Sequence, residues 1–270
     1  MTPWFLDRLG AGSLEAPARR RGLQQLLGLG ALGLAGCASR PHDAPGGVIA
    51  PAVRVAPFSA AAAGSALPAG WEPYVWRRDK PTTQYSVVAD EQRHVLHAHA
   101  AGAASGLRCP VQIDPLAQPR LRFSWRTRSL IGPISVETAE SDDSPARIIL
   151  AFDGDMARLS LRERLIADQV ELFTGHRMPY ATLMYVWDGA LAAESVVHNH
   201  RSSRVRYLAA ESGAHRCGHW LHYERDVVAD FRRAFGETPG PLISVGVLTD
   251  SDATKQVFNA WYGDISLAAS

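Results

Sequence analysis

Beyond position 53 the chain is built of short runs in which apolar and polar residues alternate, as in His94-Val95-Leu96-His97-Ala98-His99 and Leu121-Arg122-Phe123-Ser124-Trp125-Arg126. A period of two is that of a β-strand with one face covered. Runs of this kind, or of β-favouring residues bounded by turn residues, predict strands at 53–58, 84–88, 94–99, 107–113, 121–127, 147–152, 183–187, 204–209, 220–225, 242–248 and 258–267. Two segments have helical spacing instead. Leu161, Leu165, Ile166, Gln169, Leu172 and Phe173 fall on one stripe, predicting an amphipathic helix over 158–173. Val227, Val228, Phe231, Ala234 and Phe235 do the same between Asp226, a suitable N-cap, and Gly236, placed to stop the helix. Many strands, two inserted helices and no βαβ rhythm predict a mainly β fold, a two-sheet β-sandwich of jelly-roll type.

Ahead of the strands lies an export pattern. Arg19-Arg20-Arg21 precede an apolar, glycine-rich run from Gly22 to Leu34 that is too short to span a bilayer stably. It ends in Leu34-Ala35-Gly36-Cys37, which resembles the lipobox of bacterial lipoproteins. That resemblance implies cleavage before Cys37, lipid on its thiol and membrane anchoring. With Ala38 next, it implies the outer membrane, facing the periplasm. The competing reading is a chance cysteine after an ordinary signal peptide, and the arginine cluster also resembles a twin-arginine signal. The expected organisation is a signal peptide at 1–36, a Pro/Gly/Ala-rich flexible tether at 37–52 and one β-sandwich domain at 53–270.

Charge narrows the function classes. The chain has 28 basic and 27 acidic residues; residues 1–36 hold Arg8, Arg19, Arg20, Arg21, Asp7 and Glu15, leaving 24 against 25. Near-neutrality without a basic stripe argues against nucleic acid as a partner. Apart from Cys37, the cysteines are Cys109 and Cys217, either a disulfide in an oxidising compartment or two buried thiols.

Several stretches resemble a bacterial family catalogued as domain of unknown function 3047. They include Leu121–Arg126, Ala146–Asp155, Leu183–Trp187, Arg204–Arg206, Glu224–Gly236, Leu248–Asp252 and Trp261–Ile265. The resemblance implies a periplasmic or secreted β-sandwich, similar to carbohydrate-binding and concanavalin-like domains, and assigns no activity. The chain departs from the family pattern at Ala253, where an asparagine is expected.

Three constellations could carry chemistry. Asp142-Asp143, Asp153-Gly154-Asp155, Asp250-Ser251-Asp252 and Asp264 fall at predicted turns, and Asp250, Asp252 and Asp264 are candidates for a structural calcium, which needs converging oxygens. Turn capping and ion pairing is the plainer reading. Arg126, Arg147, Tyr185, Trp187, Arg204 and Arg206 lie inside strands, where arginine must be paired or line a cleft. With Asp153 and Asp155 they form the candidate ligand-binding set, aromatics stacking on sugars and arginines holding acidic groups. Internal pairing with Asp153, Asp155 or Glu224 is the alternative. His198-Asn199-His200, with His215, His219 and His222, has weak metal-ligand spacing, while His94, His97 and His99 read as surface residues. No Gly-x-Ser-x-Gly, His-Glu-x-x-His or phosphate loop occurs.

The expectation is a lipid-anchored cell-envelope protein that binds an acidic glycan or another envelope component. The alternatives are a polysaccharide hydrolase or lyase, the latter using Tyr185, His198 and Arg204, and an assembly lipoprotein with a protein partner.

Overall fold

In the computed structural model the described residues are 53–270, apart from 66, 76–78, 131 and 133 and the side chains of 173 and 174. The export signal, Cys37 and the spacer expected at 37–52 lie outside them. The strands in chain order are β1 (Glu72–Tyr74), β2 (Gln84–Asp90), β3 (Arg93–Ala101), β4 (Ala104–Ile113), β5 (Arg120–Thr127), β6 (Ser144–Phe152), β7 (Ala181–Asp188), β8 (Val196–His198), β9 (Val205–Ser212), β10 (Leu221–Asp226), β11 (Leu242–Asp250), β12 (Val257–Tyr262) and β13 (Ser266–Ala268). The helices are α1 (Leu161–Thr174) and α2 (Val227–Phe235).

One sheet runs β1-β4-β11-β6-β7-β9-β8; the other runs β10-β5-β12-β3-β2, with β13 beside β5. Only β7 and β9 pair in parallel among these neighbours. The fold is therefore a two-sheet β-sandwich. Its core takes alternate residues from each sheet, among them Phe123 and Trp125 of β5, Ile148, Leu150 and Phe152 of β6, and Tyr185 and Trp187 of β7. Phe123 meets Trp125 edge-on at 5.0 Å and Tyr185 at 5.7 Å.

α2 forms where its pattern predicts. The Asp226 side chain accepts from the Ala229 N–H, Gly236 ends the helix in the left-handed region at φ 73°, and Phe231 packs edge-on against Phe152 at 4.7 Å.

Three expectations need correction. The run 53–58 is not a strand: Val55, in irregular chain, and Phe58, which opens a turn of 3-10 helix over Phe58–Ala60, plug the core, and Trp71 donates its Nε1–H to the Ala56 carbonyl at 2.8 Å. The run 258–267 is two strands, β12 and β13, broken at Gly263-Asp264. Cys109 and Cys217 are not bridged: Cys109 is a buried thiol of β4 and Cys217 a partly buried one in the turn before β10, and burial pushes both thiols up.

α1 exists, but it is rolled over. Leu161, Leu165 and Leu172 are 65%, 54% and 78% exposed, whereas Glu163 and Ala167 are buried. A polar anchor outweighs the leucine stripe. Ser160 caps the helix by accepting from the Glu163 N–H, and the Glu163 carboxylate accepts from the Ser202 hydroxyl at 2.6 Å and the Ser203 N–H at 2.8 Å. Glu163→Ala, which leaves those donors unsatisfied, is expected to cost about 1–3 kcal/mol. Leu165→Gln should change stability by less than about 0.5 kcal/mol. Urea denaturation of both variants checks the orientation; a larger loss from Leu165→Gln would mean that the stripe is packed.

Candidate functional site

The structure disperses most of the strand-borne residues singled out by the sequence. Tyr185 and Trp187 are fully buried. The Tyr185 hydroxyl donates to Asp230 at 2.9 Å, and the Trp187 Nε1–H donates to the Gly213 carbonyl at 2.9 Å. Arg204 donates to the Tyr180 carbonyl and pairs with Glu237 at 2.6 Å, its guanidinium lying over Tyr180. Arg206 donates to the Ala234 carbonyl, and its Nη1 is buried without a hydrogen-bond partner. Asp153 and Asp155 are exposed turn residues accepting from the Gly154 and Ala157 N–H groups. The proposed lyase set does not assemble, because Tyr185 is sealed in the core and His198 is exposed on edge strand β8. His200, His215, His219 and His222 are also exposed.

Arg126 alone of that set stands on an open sheet face, and it has company there. Trp125 points into the core, so Arg126 points outward from β5. Register puts Trp261 of β12 opposite it, His97 of β3 opposite Trp261, and Ser86 of β2 opposite His97. Trp220, just before β10, continues this row on the far side of Arg126. The row is a stacked ladder. The Arg126 guanidinium carbon lies 4.5 Å from the Trp261 ring centroid and 5.1 Å from that of Trp220, and His97 stacks on Trp261 at 5.0 Å.

The β2–β3 hairpin closes one end of the row. Asp90 accepts from Arg126 Nη2 at 2.8 Å and from Trp220 Nε1 at 2.7 Å. Arg93 lays its guanidinium over Trp220, 4.1 Å from the ring centroid. Gly263 makes room for this, since a Cβ there would collide with the Ser124 hydroxyl and approach Arg93 Nη1. Among the described residues Arg93 has no ion pair, and Arg126 donates hydrogen bonds only through Nη2. Cations therefore outnumber carboxylates in this row.

Sequence reasoning missed Trp220, Trp261, Asp90 and Arg93 as members of one site. The signal available was Arg126 itself: its strand alternates cleanly, and each cross-strand neighbour follows once the register is known.

A two-sheet β-sandwich with a cationic, aromatic-laddered sheet face is the class that this fold and site define. The chain belongs to the family described as "Protein of unknown function (DUF3047)", whose model matches residues 69–266. No curated protein matches it. Among solved structures it is similar to a Trichoderma harzianum endoglucanase 3 of family GH12 (8% identity, TM-score 0.40, covering 80% of this chain and 97% of that one). It is also similar to a family 30 carbohydrate-binding module of a Clostridium thermocellum cellulosomal cellulase (12% identity, TM-score 0.33, covering 82% and 96%). These likenesses concern strand layout, and nothing about what this chain binds follows from them.

A hard cation's natural ligands gather elsewhere, on the outer side of the seven-stranded sheet. Oxygens of the buried Asp143, Asp250 and Asp252 lie within 4.8 Å of one another. Asp264 is not with them; it accepts from the Ser59 N–H and hydroxyl. The three carboxylates could hold such an ion, but protein cations already face them. Arg147, 2% exposed, pairs with Asp250 at 2.9 Å and Asp142 at 3.1 Å, and Lys80 Nζ lies 3.2 Å from Asp252 Oδ2. That last contact is electrostatic, because Oδ2 accepts no well-aligned hydrogen bond. Burial and the neighbouring carboxylates push the Asp250 carboxyl up against the opposing pull of Arg147. Arg147 is therefore a structural cation and no part of an open face, and its partners are Asp142 and Asp250 rather than Asp153, Asp155 or Glu224. Arg147→Met, which strands Asp250 as an unpaired buried carboxylate, is expected to lower stability by about 3–5 kcal/mol. In chemical denaturation, adding Asp250→Asn to that variant should cost less than the two single losses combined; strict additivity would rule out the coupling.

Proposed function

We propose that the chain is a cell-envelope binding protein, anchored by lipid on Cys37, whose six-stranded sheet takes an acidic glycan on its outer face. One observation carries the reading. The face already grips a carboxylate, that of Asp90, between Arg126 Nη2 and Trp220 Nε1, and still holds unpaired guanidinium N–H groups on Arg126 and Arg93. Guanidinium forks match the geometry of uronate carboxylates and sulfate esters. Arg128, exposed beside the row, adds a further cation. Binding is favoured over turnover because the carboxylates on this face are committed. Asp90 is held as described and Glu224 is paired with Arg122 and Arg120, whereas a glycosidase needs an acid and a second carboxylate flanking the bond.

The full chain should be retarded in affinity electrophoresis by polygalacturonate or heparin and not by neutral xyloglucan. Arg93→Gln should weaken retention about tenfold, equivalent to about 1.4 kcal/mol, with melting unchanged, and Arg126→Gln at least as much, with a lower melting temperature because Asp90 loses its ion pair. Equal retardation by the neutral polymer, or none by the acidic ones, would overturn the reading. The anchor is tested separately: Cys37→Ala should move the protein out of the membrane fraction, and its retention there would remove the lipid from the proposal.

A further inference from the structure

Next to the ladder, one row along the strands, three donor atoms converge that the acidic-glycan reading does not use. His97 and His99 are two residues apart on β3 and so share its outer face, and Asn259 of β12 lies directly opposite His99. His97 Nε2 and His99 Nδ1 each hydrogen-bond the same atom, Asn259 Oδ1, at 3.1 Å, which accepts from both. We infer that His97, His99 and Asn259 form a site for a divalent transition metal of borderline softness, Cu²⁺ foremost and Ni²⁺ or Zn²⁺ behind it.

The hydrogen-bonded atoms already stand at a separation that ligands of one ion can adopt. Donor atoms about 2.0–2.2 Å from a metal and roughly at right angles stand about 3 Å apart, which is the separation of each imidazole nitrogen from the amide oxygen. The ligands are also held in place. His97 is stacked on Trp261, and strand register sets the backbone of Asn259 opposite that of His99. The opposite nitrogens, His97 Nδ1 and His99 Nε2, make no hydrogen bond among the described residues. Each neutral imidazole can therefore move its proton to the far nitrogen and present a lone pair, with no proton released.

The donor set selects the metal. Two neutral nitrogens and one amide oxygen, with no carboxylate, are poor ligands for Ca²⁺ or Mg²⁺. They suit Cu²⁺, which leads the affinity order for nitrogen sites. Open positions are left for water or for an anionic group. Arg126 and Arg128 are nearby positive charges that oppose the cation without removing its ligands. An anion bound on the ladder would offset that repulsion, which makes the two sites mutually supportive without either requiring the other.

The test titrates CuCl₂ alone into the chelator-stripped full chain by calorimetry, with electron paramagnetic resonance of the one-to-one complex. The expected result is one tight equivalent, a two-imidazole nitrogen signature, and weakening of at least about tenfold in His97→Ala and in His99→Ala. Asn259→Asp should bind more tightly, a gain that misfolding cannot produce. His198→Ala combined with His200→Ala should leave binding unchanged. No tight equivalent in the unaltered chain, binding indifferent to His97 and His99, or loss in the His198/His200 variant would each overturn the site.

Discussion

The Arg147 guanidinium is enclosed, and an enclosed guanidinium must find carboxylate charge within reach or cost several kcal/mol. It emerges from β6 on the side away from the core residues Ala146, Ile148 and Leu150, and it is sealed beneath Tyr207 and the segment carrying Asp142. Satisfying it orders the surroundings outward. Asp250 turns toward it and also accepts from the Ser144 N–H. Asp143 faces the next turn and holds the Ala253 and Thr254 N–H groups. Asp188 does a similar service for Val136, Ala190 and Leu191. Of the Asp-rich motifs, Asp142 and Asp250 are thus counter-ions of one buried cation, while Asp143, Asp153 and Asp155 hold backbone N–H groups of turns.

That arrangement decides where a ligand could approach. Loops tied down by these carboxylates roof part of the seven-stranded sheet, where Val136, Val186, Tyr207 and Ala209 form a second small apolar cluster. The six-stranded sheet keeps an outer face of half-exposed polar and aromatic side chains. Its edge is closed by charge as well: Arg225 bridges Asp230 at 2.9 Å and Glu194 at 2.6 Å, beside the Tyr185 hydroxyl. The open surface is left over once the buried charges have been satisfied.

The sheet architecture was legible because its strands alternate, and α2 because its cap, stripe and stop agree. What alternation does not carry is which side of a strand ends up outside. Arg147 and Arg126 look alike in sequence, each a guanidinium inside a β-type run, yet one lies under loops and the other in the open. The difference is set by Asp142, five residues back along the chain, and Asp250, from distant β11, meeting on Arg147. α1 failed for a related reason. Three leucines announced a buried face, but Glu163 found two donors in the 202–203 turn, and a satisfied carboxylate fixed the roll of the helix. Tyr185 and Trp187 were drawn into the ligand set by residue type, while their strand is buried nearly throughout. For Cys109 and Cys217, parity in sequence said nothing of position, and the fold leaves each thiol in its own apolar surroundings.

The open face differs from a flat aromatic platform in a way that bears on recognition. Neighbouring strands lie about 4.8 Å apart, close to the spacing at which Arg126, Trp261 and His97 stack on one another. Rings stacked across strands stand on edge, so their faces are spent on each other and their rims meet solvent. A neutral sugar, which gains most by lying flat on an exposed ring, finds few such faces there. Under the acidic-glycan proposal, an acidic group would meet guanidinium edges held between stacked rings. Asp90 shows what such a group encounters, a charged donor on one oxygen and an indole N–H on the other. On that proposal the ladder would serve less as a surface to stack upon than as a frame that aims cations.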